Sequence, residues 1–307
     1  MNKKLLNKHG TVTENLARHV MALDRGDRLP TIVELTEQFG VSRGVVQNAI
    51  AFLEDAGCFT LSRCGNLGTV LEYIDYKNLY AYTDWNPIVG AMPVPFNESF
   101  RTLGAALYAE SKKLPVENSI IYASGAKVRC SLLKKDFLDY TVTSLATARK
   151  ISENDKQLEI LFELSSCQYE EPYGILFLNS EEKEIRDGMR VGIDPDTFDQ
   201  TSLTKSLCKG KTVELVPTPF ENIIETLHDR KIDCTVIRRE KWLEDNLRLA
   251  LRPIPKTDYP AEDTTVPAIL INRENYGIRP FLEKYFSPSA ILEEQRHART
   301  IQSRYSF

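Results

Sequence analysis

The sequence predicts a small α+β head followed by a larger two-lobed α/β region, and three observations carry that division. Between Arg28 and Val70, helix caps and glycine stops follow one another so closely that only short helices fit between them. Two β-rich runs with turn residues between them come directly afterwards. Beyond Pro87, short apolar runs alternate with helical periodicity, the pattern of α/β units. With 307 residues, 42% of them hydrophobic, the chain can bury two or three packed units.

In the head, Thr11 and Glu14 have capping-box spacing, and Val12, Leu16, Val20 and Leu23 form one apolar face, predicting a helix from about Val12 to Asp24. Leu29-Pro30-Thr31 opens the second helix, with Thr31 as cap, Glu34 completing a capping box and Gly40 as its stop. The third runs from Ser42, its N-cap, through Val46, Ala49, Ile50 and Leu53 to the stop at Gly57. Phe59–Arg63 and Thr69–Tyr73 then read as strands joined by Cys64-Gly65-Asn66-Leu67-Gly68, a hairpin wing. Three helices and a wing in this order predict a winged helix-turn-helix.

The third helix packs its apolar stripe inward, which leaves Arg43 and Gln47 one turn apart on the outer face beside Gly44 and Asn48. Arg pairs with guanine, and Gln or Asn with adenine, so this face suits base reading in a major groove. The expected DNA-binding residues are Thr31, Ser42, Arg43, Gly44, Gln47, Asn48, Arg63 and Gly65, with Arg63 and the early lysines holding phosphates. Charge is sparse. Residues 1 to 75 carry eight Lys and Arg against nine Asp and Glu. Phosphate neutralisation supplies much of DNA affinity, so a single head should bind weakly, and a homodimer on a two-fold operator is expected.

Leu29-Pro30, Glu34-Leu35, Gly40-Val41-Ser42-Arg43, Leu53-Glu54 to Gly57 and the wing ending Gly68-Thr69 together resemble the N-terminal domain of GntR-type bacterial repressors. The resemblance covers about the first quarter of the chain. It departs at Val33, where the family usually has a phosphate-contacting Arg, and at Gln47, where it usually has a second Arg on the recognition helix. Residues 1–73 are therefore expected to form the DNA-binding domain. Residues 74–87, with Tyr76, Tyr80, Tyr82 and Trp85 among polar residues, read as a linker whose aromatics pack on a domain surface or dimer interface.

Residues 88–307 read as an effector domain, with lobe 1 over about 88–180 plus 266–307 and lobe 2 over about 181–265. Strands are predicted at Ile88–Met92, Ser119–Tyr122, Tyr140–Ser144, Leu158–Leu164, Tyr173–Leu178, Met189–Ile193, Val213–Val216, Ile232–Ile237 and Val266–Ile271. Helices are predicted between them, notably one bearing Phe100, Leu103 and Leu107, one bearing Val128, Leu132 and Leu133, and others over Glu221–Arg230, Tyr276–Phe286 and Ile291–Arg304. Tyr173–Leu178 is where the chain leaves the first lobe.

In open α/β folds, ligands sit beyond the carboxyl ends of strands, against the amino ends of the following helices. Four such corners are predicted to bind a ligand: Asn97 with Ser99; Ser124 with Gly125 and Ala126; Asp196, Thr197, Asp199, Gln200 and Thr201; and Thr218 with Phe220. Hydroxyls and backbone donors suit a carboxylate, and the aspartates an amino group, so a small acid or amino-acid-like metabolite is the expected effector. The same residue types are ordinary helix caps.

Two lobes joined by outward and return crossings resemble the type II periplasmic-binding-protein fold. Ile88-Val89-Gly90-Ala91-Met92-Pro93-Val94-Pro95, Val191-Gly192-Ile193-Asp194-Pro195-Asp196 and Ile232-Asp233 resemble the YhfZ group of regulators, in which a GntR-like head precedes such a domain. The resemblance implies a transcriptional regulator with an effector-binding region, without implying which effector.

Other function classes are disfavoured. A free-standing solute-binding protein would need an export signal, whereas Asn7-Lys8-His9-Gly10 stands where the apolar segment would lie. No run approaches a membrane span, so a cytoplasmic protein is expected. Six cysteines (Cys58, Cys64, Cys130, Cys167, Cys208, Cys234) without a Cys-x-x-Cys pair read as reduced thiols, and no metal or cofactor is expected. An enzyme acting on a small acidic substrate remains the alternative, with Cys130 and Asp194, Asp196 and Asp199 as its candidates. No phosphate loop, nucleophile elbow or metal-ligand cluster supports it. A DNA-associated scaffold would differ in having a filled cleft.

Overall fold

The computed structural model describes residues 8–65, 68–85, 87–95, 97–165, 167, 172–238 and 250–305. Lys3 and Lys4 of the expected phosphate contacts, the wing-turn residues Asn66 and Leu67, and Asn86 and Phe96 lie outside the described residues. The chain opens with α1 (Lys8–Met21), α2 (Ile32–Phe39), α3 (Arg43–Asp55), β1 (Phe59–Arg63), β2 (Thr69–Ile74) and α4 (Tyr76–Tyr80). It continues through β3 (Ile88–Met92), α5 (Glu98–Ser111), β4 (Asn118–Tyr122), α6 (Ala126–Lys134), β5 (Tyr140–Ser144), α7 (Leu145–Asn154) and β6 (Leu158–Glu163). Then come β7 (Tyr173–Phe177), β8 (Arg190–Ile193), α8 (Phe198–Leu207), β9 (Glu214–Pro217), α9 (Ile223–His228), β10 (Cys234–Arg238) and β11 (Ala250–Pro253). The last elements are β12 (Pro267–Asn272), α10 (Ile278–Tyr285) and α11 (Pro288–Tyr305).

Two compact units emerge. The first comprises Met1–Ile88, Glu110–Ser119 and Arg273–Ser287. Its core is made by Val12, Leu16 and Val20 of α1, Leu35 of α2, and Val46, Ala49 and Leu53 of α3, closed by Phe59 and Leu71 of the antiparallel hairpin. The capping box at Thr31 forms as its spacing requires: the Glu34 amide donates to Thr31 Oγ1 at 3.2 Å, and the Thr31 amide donates to Glu34 Oε2 at 2.6 Å. Gly40 ends α2 at φ +63°, a left-handed conformation that costs glycine little.

The stretch 74–87 is packed. Leu79, Thr83 and Trp85 are buried, and the Trp85 ring lies 4.8 Å from that of Phe281 in α10. Arg18 of α1 is only 4% exposed and holds this corner together. It pairs with Glu14 at 2.7 Å, donates from Nε to the Thr83 carbonyl and from Nη1 to Asn275 Oδ1 at 3.4 Å, and lies over the Trp85 ring.

The second unit comprises Val89–Ala109, Ile120–Asn272 and Pro288–Phe307. It contains two five-stranded sheets, ordered β4-β3-β5-β12-β6 and β11-β7-β10-β8-β9. Parallel β3–β5 and β8–β10 pairs mark the βαβ halves, while β12 runs antiparallel to β5 and β6, and β7 antiparallel to β10 and β11. The chain crosses to the second sheet between Glu163 and Tyr173, earlier than the expected boundary near residue 180, because β7 pairs with β10. It returns between Pro253 and Pro267. Strand β11 was not anticipated: Ala250–Pro253 has one alternation of residues and a proline, too little pattern to stand out.

Gly90 packs against the Tyr140 ring so closely that a β-carbon would meet it at 2.1 Å, which explains a glycine inside β3. Among the described residues, no helix is long and apolar enough to cross a membrane.

Candidate functional site

Two surfaces carry chemistry, one in each unit. On the first, Ser42, Arg43, Gly44, Gln47 and Asn48 are exposed along the outer face of α3, while Val46, Ala49 and Leu53 are buried on the other. Among the described residues, neither Arg43 nor Arg63, which is exposed on the wing, has an ion-pair partner. Gly65 follows at φ +53° in the wing turn. Thr31 is exposed but engaged in its capping box, whereas Ser42 sits at the N-cap without a side-chain capping bond, so its hydroxyl faces solvent.

On the second, a cavity of about 240 Å³ lies between the lobes of the α/β unit. Its walls bring together Ser124, Gly125 and Ala126 with Asp196, Thr197, Asp199, Gln200 and Phe220. These belong to three of the four expected corners. The lobes touch here: the Lys127 ammonium donates to the Pro195 carbonyl, and Asp196 lies 3.3 Å from where a β-carbon on Gly125 would stand. Gly125 takes φ +76°, which lets the chain turn from β4 into α6 at this contact.

Four predicted residues lie outside the cavity wall, each occupied locally. Asn97 Oδ1 accepts from the Phe100 amide at 2.8 Å, capping α5. Ser99 is buried, its Oγ accepting from Arg299 at 3.0 Å. Thr201 donates to the Asp194 carbonyl at 2.6 Å, and Thr218 to the Val216 carbonyl at 3.0 Å. Gln200 lines the cavity, yet its amide is spent on framework: Oε1 accepts from the Asp194 amide, and Nε2 donates to the Gly192 and Val236 carbonyls.

Asp199 ties the lobes. Its Oδ1 accepts from Thr147 Oγ1 at 2.7 Å and from the Tyr259 hydroxyl at 2.6 Å, and Oδ2 pairs with Arg238 at 3.5 Å. Burial and the adjacent carboxylate push the Tyr259 hydroxyl's pKa well above its ordinary value. Arg238 also stacks 3.7 Å over the Tyr173 ring and donates to Thr264.

Sequence reasoning missed Arg129, Thr143, Thr147, Tyr173 and Arg238, all of which line the cavity, and named Asp194 only as a candidate of the enzyme alternative. For Arg129 a signal existed. Val128, Leu132 and Leu133 suggested the buried face of α6, but the structure buries Ala126, Arg129, Cys130 and Leu133 and leaves Val128 46% exposed. An arginine on the stripe with Ala126, Cys130 and Leu133 needs a reason to be buried. Burial pushes the Cys130 thiol pKa up to about 11. Among the described residues, no three His, Cys, Asp or Glu side chains come together as metal ligands.

A family model described as the YhfZ C-terminal domain matches residues 75–305, and one described as a helix-turn-helix domain matches residues 24–71. The chain belongs to the YhfZ family. It is 27% identical over 301 residues to the protein YhfZ of Escherichia coli (strain K12), covering 96% of each. The crystal structure of YhfZ from Shigella flexneri is similar at a TM-score of 0.60 and 20% identity, over 75% of this chain and 97% of that one. An ancestral arginine-binding protein bound to arginine aligns at a TM-score of 0.49 and 15% identity, over 72% and 98% of the two chains. The architecture is thus a helix-turn-helix domain followed by the two-sheet α/β domain of the YhfZ family.

Proposed function

We propose that this chain is a transcriptional regulator whose operator binding is set by a small acid or amino-acid-like metabolite held in the cleft. The observation that carries the reading is the outer face of α3, where Arg43, Gln47 and Asn48 stand exposed within a helix-turn-helix and Arg43 has no ion-pair partner among the described residues. Arg43, Gln47, Asn48 and Gly44 read bases; Arg63, Gly65, Ser42 and Thr31 lie along the phosphates. The effector contacts Ser124, Gly125, Ala126, Asp196, Thr197 and Phe220, with Asp199 and Gln200 shaping the wall.

A ligand can shift such a regulator only by favouring one lobe arrangement over another. The Asp199 contact to Thr147 is part of the arrangement it must favour or disturb. The chain works in the cytoplasm as a homodimer, because one head has too few positive charges for tight binding and two-fold sites are read in pairs. Genome-scale mapping of DNA bound by the full chain tests the reading. A recurrent two-fold sequence, bound in vitro by a species that sediments as a dimer, is the expected result; the absence of any preferred sequence overturns it.

A further inference from the structure

Two buried arginines line the cavity, and they differ in what balances their charge. Arg238, 5% exposed, has Asp199 at 3.5 Å and the Tyr173 ring beneath it. Arg129, 3% exposed, has no carboxylate within 4 Å among the described residues. Its Nη1 donates to the Ala123 carbonyl at 2.7 Å and its Nη2 to the Val142 carbonyl at 3.3 Å, while Nε has no partner. A guanidinium cannot shed its proton to escape burial, so its charge calls for an anion.

The second observation is the amino end of α6. Arg129 sits on the first turn of this nine-residue helix, whose N-cap Gly125 supplies no side chain to cap it and whose first turn contains no acidic residue. The Arg129 amide already donates to the Gly125 carbonyl at 3.2 Å, so it is the amides before it that have no intrahelical acceptor and carry the positive end of the helix dipole. Gly125, Ala126 and Arg129 all line the cavity beside Ser124. The same cavity is walled by Asp194, Asp196 and Asp199. Asp194 accepts from the Asp196 amide at 3.0 Å and from Thr197 Oγ1 at 2.6 Å, and Asp199 is balanced by Arg238. A dianion such as phosphate would meet these carboxylates with a single uncompensated cation to hold it, whereas one carboxylate matches one guanidinium.

We propose that Arg129 and the amino end of α6 form the anchoring subsite for the carboxylate of a small organic acid. The proposal rests on the reading of the cleft as an effector site and names the group by which the effector is recognised. A cavity of about 240 Å³ admits an acid of amino-acid size, with its remaining polar groups directed at Asp194 and Asp196.

The test is calorimetric and thermal-shift titration of the full chain with L-alanine, L-lactate and the corresponding amides, and with inorganic phosphate. At least one carboxylate stabilises the protein while its amide and phosphate do not. Arg129→Gln weakens that acid roughly 10- to 100-fold. Because Arg129 also holds two main-chain carbonyls, Arg129→Lys keeps the test open if the glutamine variant misfolds. It retains the charge without the fork and still loses more affinity than Arg238→Lys, since Arg238 is already balanced. Binding by none of the acids, equal binding of acid and amide, or unchanged affinity in a folded Arg129 variant overturns the proposal. An acid that binds through Arg129 without altering DNA affinity leaves the anchor standing and removes the regulatory reading.

Discussion

The head and the cleft are built on opposite plans. The face of α3 comes from one short stretch, Ser42 to Asn48, whose exposed side chains are placed by helical spacing and by a stripe that packs inward. The cavity is assembled from residues between Pro93 and Arg238 that meet only because two sheets face each other. Charge is disposed differently as well. The head exposes Arg43 and Arg63 to solvent, while the cleft buries Arg129 and Arg238 and must balance them internally or with a ligand. A surface made by one helix is read from sequence; one made by convergence is read only once the fold has brought its residues together.

The largest effect that sharpens this contrast is expected at Arg238. Arg238→Met leaves Asp199 buried without its cation and should destabilise the α/β unit by about 3–5 kcal/mol. Arg129→Met removes a charge that has no carboxylate partner among the described residues and should cost clearly less. Urea unfolding of both variants decides it, and equal losses would mean that Asp199 does not depend on Arg238.

Next in size is base reading. Gln47→Ala should change preference by roughly 1–3 kcal/mol at one position per half-site, whereas Arg63→Ala should weaken all sequences alike and reduce the salt slope by about one. Binding-site selection at two salt concentrations separates them, and identical preferences would remove Gln47 from the reading face.

A smaller effect separates two caps that look alike in sequence. Thr31→Ala should cost about 1 kcal/mol because both capping-box bonds are present, while Ser42→Ala should be nearly neutral because its hydroxyl makes no capping bond. Thermal melts of the two variants would reverse this order if Ser42 caps α3 in solution.

The smallest expected effect is a pH dependence confined to the first unit. Burial lowers the His19 imidazole below its ordinary pKa of 6.5, and its Nδ1 lies 3.2 Å from the Tyr276 hydroxyl. As pH falls through about 6.5 the unfolded chain takes up a proton that the folded chain still refuses, so stability is complete above that pH and declines below it. His19→Asn should flatten the decline. Denaturant midpoints at pH 7.5 and 5.5 measure it, and the same slope in the variant would assign the effect elsewhere.

The head was legible because its signals are local. The Thr31–Glu34 box, the Gly40 stop and the α3 stripe depend on residues a few positions apart, and all are present as their spacing requires. Most strands of the α/β unit were legible for the same reason, as residues 140–143 and Tyr173–Phe177 are continuous apolar or β-branched runs. Strand membership was not, because a strand's neighbour is chosen by the chain that returns to it: β7 joins the second sheet only through its pairing with β10 and β11.

The candidate ligand residues divide along the same line. Composition marked Ser124, Gly125, Asp196 and Thr197 as polar corners, but it could not distinguish them from Asn97, Ser99, Thr201 and Thr218, which lie outside the cavity wall with their side-chain oxygens engaged by their own helices and neighbours. The sequence by itself determined the kinds of elements and their order, since hydrogen bonding within a turn or helix needs only adjacent residues. Tertiary structure alone decided that Asp199 would balance Arg238 and leave Arg129 without a carboxylate. Coulombic partnership depends on distance in space, and Asp199 and Arg238 stand 39 residues apart in sequence.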